Sequence, residues 1–381
     1  MTGPDPLIVL QLVANRWWTG SADPVIQLGR GLEDRGHRVL LGLIPGGPFE
    51  QKAREAGLIP IDGLSLDARV EPLGLLGDIR RLTRLVRRER VDVVHVHHSH
   101  DHWLAFLCRG RAALVRTFHN ARAVDTRWPA RMLYRQSDAL IAVSDEVVAR
   151  CRAALVPAER VVRVDGVTDV GRFGEPATGE SVRKEFGLGP GAVIGCVARL
   201  AQGRRHEALI RGFALALTRH PDARLLLVGK GELRVTLEAF VHAQGLAQQV
   251  LFAGYRDRDL PAVLDALDIF VLLGAGSDES CRAVLEAMAA GRPVIARRVG
   301  ALGATVVQGD TGLLVDDDRP ESVAAALEVL LQDPERARTM GAAGKRRALS
   351  AFTRARHAEQ VEAVYRQALA RHGRGLAHAI G

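Results

Sequence analysis

The stretch GSDESCRAVLEAMAAGRPVIAR (276–297) sets two carboxylates, Asp278 and Glu286, on either side of a run of small, mostly uncharged residues. It follows an apolar run at 269–273, and Val284, Leu285 and Met288 inside it recur at helical spacing. That pattern reads as strand, tight turn, helix. Gly291 then stops the helix, Pro293 follows, and Val294, Ile295 and Ala296 open the next strand. Ser280 to Arg282 therefore fall at a helix N-terminus, at the carboxyl end of a strand. Free N–H groups and the positive end of the helix dipole favour a phosphate there, and a carboxylate a turn or two along can accept bonds from ribose hydroxyls. Taken alone, the same residues also describe an ordinary βα turn with Asp278 as its helix cap.

Outward from this stretch, short apolar runs alternate with helical patterns along the whole chain. The first series is LIVLQLV (7–13), VLLGLIP (39–45), VDVVHVH (91–97), ALVRTFH (113–119), ALIAVS (139–144) and VVRVDG (161–166). The second is AVIGCVARL (192–200), ARLLLVGKG (223–231), VLFAGY (250–255), IFVLLGAG (269–276), PVIARRVG (293–300) and TGLLVDD (311–317). Continuous apolar strands separated by helix-length stretches mean parallel sheets covered on both faces. The fold class is α/β, with an N-terminal Rossmann-like domain over 1–170, a linker rich in Gly, Pro and charge over 171–190, and a C-terminal Rossmann-like domain over 191–350. The chain is read as helical after Asp318, and the last helix, 351–381, is expected to pack back on the N-terminal domain. Two such domains facing each other would form a cleft at their strand ends.

A length of 381 residues suits two or three domains, and the abundance of Ala, Leu, Val, Gly and Arg with few aromatics excludes a disordered chain. Cys108, Cys151, Cys196 and Cys281 are widely spaced without a Cys-x-x-Cys, which reads as reduced thiols in a cytoplasmic protein. The N-terminus lacks a signal pattern, and no apolar run reaches about 18 residues. Between residues 80 and 135, thirteen arginines face four carboxylates, an excess that accounts for the whole of the chain's net charge of +8. Leu75, Leu76, Ile79, Leu82, Leu85 and Val86 form the apolar side of a helix whose other face holds the arginines from Arg80 to Arg90. Such a helix can rest on an anionic membrane surface, placing the protein at the inner face of the cytoplasmic membrane, or can simply be solvated. Nucleic acid is excluded as a partner, because no aromatics interleave with the arginines.

In order, these segments resemble glycosyltransferase family four, the retaining GT-B enzymes that move a sugar from a nucleotide diphosphate donor. The strongest block is SDESCRAVLEAMAAGRPVIARRVGALGATVVQGDTGLLV (277–315), preceded by CVARL, LLLVGKGE, VLFAGY and LDIFVLL. GSADPVIQLGRGLEDRGHRV, DVVHVHHSH, VRTFH, DALIAVSDEV and VRVDGV carry it through the N-terminal half. The resemblance implies a GT-B fold and a nucleotide sugar donor, with a glycan or lipid-linked acceptor of cell-envelope synthesis. It gives Glu286 the donor ribose and Asp278 a place beside the reacting carbon. Backbone N–H groups near Ser280, Cys281, Arg282 and Ala283 would hold the diphosphate, and Arg199 and Arg204 would neutralise it as it leaves. His119 would reach the sugar from the N-terminal domain. Gly20 and Ser21 would lie near the phosphates and acceptor, and Gly254 and Tyr255 at the base. No cofactor and no metal are required if arginines and a helix dipole carry the charge.

Departures from the family pattern concentrate in these positions. Asp278 stands for Glu, Arg204 for Lys, Arg205 for Gly as a bulkier and obstructive replacement, Ser21 for Gly and Asp165 for an asparagine-like residue. Ala301, Gly303 and Ala304 replace the usual Gly, Pro and Glu. They keep two further readings open: a degenerate, non-catalytic nucleotide-sugar-binding scaffold, and a GT-B-shaped sugar-nucleotide epimerase. The five histidines of HVHHSHDH (95–102) have no Cys or carboxylate at zinc spacing, so they are not read as a metal site. Cys281 at a helix N-terminus could have a lowered pKa, or simply fit the phosphate turn. Trp17 and Trp18 are expected to face the acceptor, with a pair of core aromatics as the other reading, and Lys230 and Glu232 to cap a turn.

Overall fold

A computed structural model describes residues 5–67 and 72–380. The chain divides into two compact units: one gathers the chain up to Val167 together with the segment that starts at Arg354, and the other is Thr168–Thr353. All twelve apolar runs form strands. The first unit holds β1 (Ile8–Val13), β2 (Arg38–Leu43), β3 (Val93–Val96), β4 (Ala113–Phe118), β5 (Ala139–Ala142) and β6 (Val161–Arg163). The second holds β7 (Val193–Val197), β8 (Arg224–Val228), β9 (Val250–Gly254), β10 (Ile269–Leu272), β11 (Val294–Arg297) and β12 (Gly312–Val315). Each set forms one parallel six-stranded sheet, ordered β2-β1-β3-β4-β5-β6 and β12-β11-β10-β7-β8-β9.

Strand residues alternate between two buried faces, which is why the strands read as unbroken apolar runs. In the first unit Leu10, Leu12, Val94, Val96 and Leu114 pack with Leu82, Val86 and Leu104 on one face. Val9, Val93, Val115 and Ile141 pack on the other with Leu28, Leu32 and residues of the last helix, Arg354–Ile380. Burying Val361 and Val364 of that helix contributes about 1.5–3 kcal/mol each. Gly31 permits its close approach, since a Cβ there would lie 2.8 Å from Ala358 Cβ. Glu362 anchors the helix through Arg35 at 2.7 Å and His37 at 3.1 Å, while Arg366, one turn along the same helix, meets it at 3.2 Å.

Two expectations change. Residues 171–190 are not a free linker: they contain the helices Val170–Gly174 and Glu180–Glu185, and Phe173, Val182 and Leu188 are buried in the second unit's core. Their Gly and charge had signalled a linker, but three large apolar residues suffice to dock the segment. On the helix Pro72–Arg88, Asp78, Leu82 and Val86 are buried and Ile79 and Leu85 partly so, while Leu75 and Leu76 are exposed. Arg80, Arg81, Arg84, Arg87 and Arg88 are exposed with them, as is Arg90 just beyond. Among the described residues no helix is long and apolar enough to cross a membrane.

Candidate active site

In the second sheet the chain moves outward in opposite directions from the neighbours β7 and β10, so the loops leaving their carboxyl ends part and open a crevice. Arg204, after β7, reaches across this point. Its Nη1 donates to the carbonyls of Gly274 at 2.9 Å and Ala275 at 3.0 Å, just past β10. Gly276 has φ +75°, which favours glycine, and a Cβ there would lie 2.0 Å from the Arg204 guanidinium carbon and push that group from its place.

Beyond Gly276 the chain turns into the helix Arg282–Ala289 through Cys281, whose φ of +55° lies in the left-handed region. Asp278 is buried in this turn. Its Oδ1 accepts the Ser280 N–H at 3.0 Å, and its Oδ2 is buried without a partner. Burial pushes the Asp278 carboxyl up to about 6, against the Ser280 N–H and the positive charges of Arg282 and Arg204. Glu286, also buried, lies one turn into the helix with Arg282 Nε 3.1 Å from its Oε1. Two carboxylates and two guanidinium groups thus gather around one helix N-terminus, where backbone N–H groups outnumber their intrahelical partners. Cys281 is buried, and its Sγ donates to Glu279 O at 3.3 Å within the turn.

Other predicted donor residues lie elsewhere on the same unit's surface. Arg199 is 70% exposed and bridged to Glu232 at 3.0 Å. Lys230 Nζ stands 4.9 Å from the Tyr255 ring centroid, and Glu232 bonds backbone in the turn as well as pairing with Arg199. Gly254 has φ +71° and its carbonyl accepts the Gly229 N–H at 2.7 Å. Arg205 is left-handed at φ +62°, where a glycine is the unstrained choice. It does not obstruct Arg204, since its Nε turns to Asp318 at 3.2 Å. Ala301 bonds its N–H to Glu279 O at 2.9 Å, and Arg347 holds Ala304 O at 2.9 Å, so the altered 300–304 loop remains tied down.

The first sheet has its own switch point, between β1 and β3. Asp101, fully buried, accepts the N–H groups of Ala14 at 3.2 Å and His98 at 2.7 Å, joining the ends of the two strands. Beside it, Asn15 organises the loop before the helix Asp23–Asp34 by donating to Trp17 O at 3.0 Å and Thr19 Oγ1 at 3.2 Å, while Thr19 and Ser21 hydroxyls meet at 3.1 Å next to Gly20. Trp17 is exposed, but Trp18 packs on the core with Phe49 and Leu43, so the two tryptophans part company. His119, immediately after β4, is buried with its Nε2 3.2 Å from His97 Nδ1. Burial pushes His119 down to about 3 and His97 well below the ordinary range, so both rings are neutral. Arg116 is buried too, shared among His102 at 3.0 Å, Ser99 at 3.2 Å and the face of Phe118 at 4.1 Å. Sequence patterns gave no sign of Asp101, His97 or Arg116 as site supports; the only signal was polar residues inside apolar strands and at their ends. Among the described residues no group of three His, Cys, Asp or Glu is arranged to hold a metal.

Two parallel-sheet units, each with polar residues gathered at its switch point, define the architecture of a GT-B glycosyltransferase. Comparison with known proteins agrees. The model for glycosyl transferases group 1 matches residues 180–347 and that for Glycosyltransferase Family 4 matches residues 19–172. A GDP-mannose-dependent alpha-(1-6)-phosphatidylinositol monomannoside mannosyltransferase of Mycolicibacterium smegmatis is 32% identical over 73% of this chain and 69% of its own length. A relative of the same description from Mycobacterium tuberculosis is 35% identical, and the alignment spans only 56% of it. An N-acetyl-alpha-D-glucosaminyl L-malate synthase of Bacillus anthracis is 26% identical over 91% of this chain and 93% of its own. Among solved structures, Anabaena HepE in complex with UDP and glucose matches with TM-score 0.79 at 20% identity, covering 93% of this chain and 98% of that one. A glycosyltransferase from Rickettsia africae matches with TM-score 0.84 at 17% identity, covering 96% and 99%. The chain belongs to glycosyltransferase family four, and its enzyme class is that of the glycosyltransferases.

Proposed function

We propose that the protein is a retaining, metal-independent glycosyltransferase that moves a hexose from a nucleoside diphosphate sugar to a glycan or lipid-linked acceptor of the cell envelope. The observation that carries the reading is the joining of Arg204, Asp278, Arg282 and Glu286 around the N-terminus of the helix Arg282–Ala289 at the switch point of the second sheet. The N–H groups of Arg282 and Ala283 receive the diphosphate, joined by those of Ser280 and Cys281 once they leave Asp278, and Arg204 takes up charge as that group departs. Glu286, released in part from Arg282, accepts the ribose hydroxyls. Asp278, buried beside the turn, faces the reacting carbon, where its charge favours a developing oxocarbenium. Arg199 reaches the diphosphate only after leaving Glu232, and Gly254 and Tyr255 border the base. In the first unit His119 contacts the sugar, while Gly20, Ser21 and Trp17 serve the acceptor.

GDP-mannose is the first donor to try, because it appears in the descriptions of several relatives. The experiment is a thermal-shift screen of GDP-, UDP-, ADP-, dTDP- and CMP-sugars, followed by transfer assays with the donor that stabilises. Ligand binding to the folded state alone raises the unfolding temperature by mass action, so the recognised base identifies itself. No stabilisation by any of them would remove the reading; binding without transfer or hydrolysis would favour a scaffold.

We also propose that the enzyme works against an anionic membrane. The exposed arginines of the helix Pro72–Arg88 lie on one element with Leu75 and Leu76. The helix Ser99–Cys108 that packs against it exposes Trp103 and Leu107. Basic charge together with exposed Leu and Trp is the composition of an interfacial surface.

A further inference from the structure

We propose that His97 is a positioning residue that holds His119 in a single tautomer, so that the pair offers one N–H and one bare nitrogen in fixed places. The inference rests on the reading that His119 contacts the sugar. The two rings lie 5.4 Å apart at 25°, with His97 Nδ1 and His119 Nε2 separated by 3.2 Å. A neutral imidazole carries one proton on two nitrogens. A bond between two neutral rings therefore ties their states together. If His97 Nδ1 donates, the His119 proton sits on Nδ1 and His97 Nε2 is bare; if it accepts, both assignments reverse. In either case the outer atoms, His97 Nε2 and His119 Nδ1, are one donor and one acceptor, and both are buried without a partner. Leaving such atoms unpaired is unfavourable, and a hydroxyl, which donates and accepts, answers either nitrogen.

His97 is itself backed. The His95 ring lies 4.4 Å from it, and His95 is fixed from both sides, by Tyr365 Oη at 2.7 Å from Nδ1 and Thr117 Oγ1 at 2.8 Å from Nε2. Tyr365 belongs to the returning helix Arg354–Ile380, so that helix supports the dyad through His95. Burial, together with the neighbouring charge of Arg116, keeps protonation from breaking the bond.

The test uses the full chain labelled with ¹⁵N-histidine, His97→Phe, which keeps a ring and removes its nitrogens, and His97→Asn, which restores an amide at the δ position. Neutral tautomers are distinguished by their ring-nitrogen shifts. Wild-type His119 should show one tautomer and His97→Phe a mixture. Release of GDP from GDP-mannose should fall about 10–100-fold in kcat with KM little changed, as for other residues that orient a functional group. His97→Asn should recover most of the loss. His119→Ala provides the comparison: slow turnover there beside wild-type turnover in His97→Phe overturns the proposal alone, whereas wild-type turnover in His119→Ala overturns the sugar-contacting role as well. The wild-type spectrum decides independently of any variant, since comparable amounts of both His119 tautomers would also overturn the proposal.

Discussion

Asp278→Asn removes a carboxylate that the fold holds in an unfavourable place, and it should stabilise the protein while slowing it. Burial raises the Asp278 carboxyl from 3.8 to about 6. Moving a carboxyl's titration by one pH unit corresponds to about 1.4 kcal/mol, so ionised Asp278 lowers stability by about 3 kcal/mol. The sign follows from proton binding. Between pH 4 and 6 the unfolded chain has released this proton and the folded chain keeps it, so stability falls as pH rises through that window and the penalty is complete above it. Asn has the shape of the acid without the charge and can still accept the Ser280 N–H. Thermal and urea unfolding of both proteins across pH 4–8 should show Asp278→Asn ahead by about 3 kcal/mol at pH 8. In a unit of this size that is about 6–12 °C, and the gap should close near pH 4. GDP release should drop in the same variant, the expected exchange of stability for activity at a strained site. A variant no more stable than wild type at pH 8, or a gap that does not change with pH, would refute the reasoning.

Four other outcomes are expected. Arg204→Ala should lower kcat about a hundred- to thousandfold while donor affinity changes far less, since its charge matters most as the diphosphate leaves; steady-state kinetics with isothermal calorimetry separates the two. Glu286→Ala should weaken nucleotide binding by about a hundredfold or more, because two charged hydrogen bonds to the ribose are worth about 1.5–3 kcal/mol each, and calorimetry with GDP reads this directly. Turnover should survive EDTA; loss that manganese restores would assign the diphosphate charge to a cation instead of Arg204. Replacing Arg80, Arg84 and Arg87 by Gln should reduce co-sedimentation with phosphatidylserine vesicles by about 1 kcal/mol per charge, with no effect on neutral vesicles.

Much of the fold was legible because parallel strands buried on both faces must be apolar throughout, and all twelve runs stand out against Arg-rich helices. The turn at 276–282 was legible for a related reason: Gly276 and small residues leave room that Arg204 and the helix N-terminus then occupy. Periodicity failed where exposure depends on a neighbouring element. Leu75 and Leu76 continue the stripe of Leu82 and Val86 yet remain in solvent, and Trp18 is half-buried against the core while Trp17 is exposed. The 171–190 segment looked like a linker by composition, but Phe173, Val182 and Leu188 dock it. The supports of the site were hidden for a different reason. Asp101 joins β1 to β3 across 87 residues, and Tyr365 reaches His95 across 270, so no local pattern could announce them.

The most direct test of the central claim is the anomeric configuration of the product. With GDP-mannose and a lipid-linked or glycan acceptor that supports turnover, proton NMR of the first product formed should show an α-linkage, the configuration of the donor kept. A β-linked product would contradict a retaining reaction at Asp278 and Arg204. An isomerised nucleotide sugar released without any transfer would contradict the transferase reading altogether.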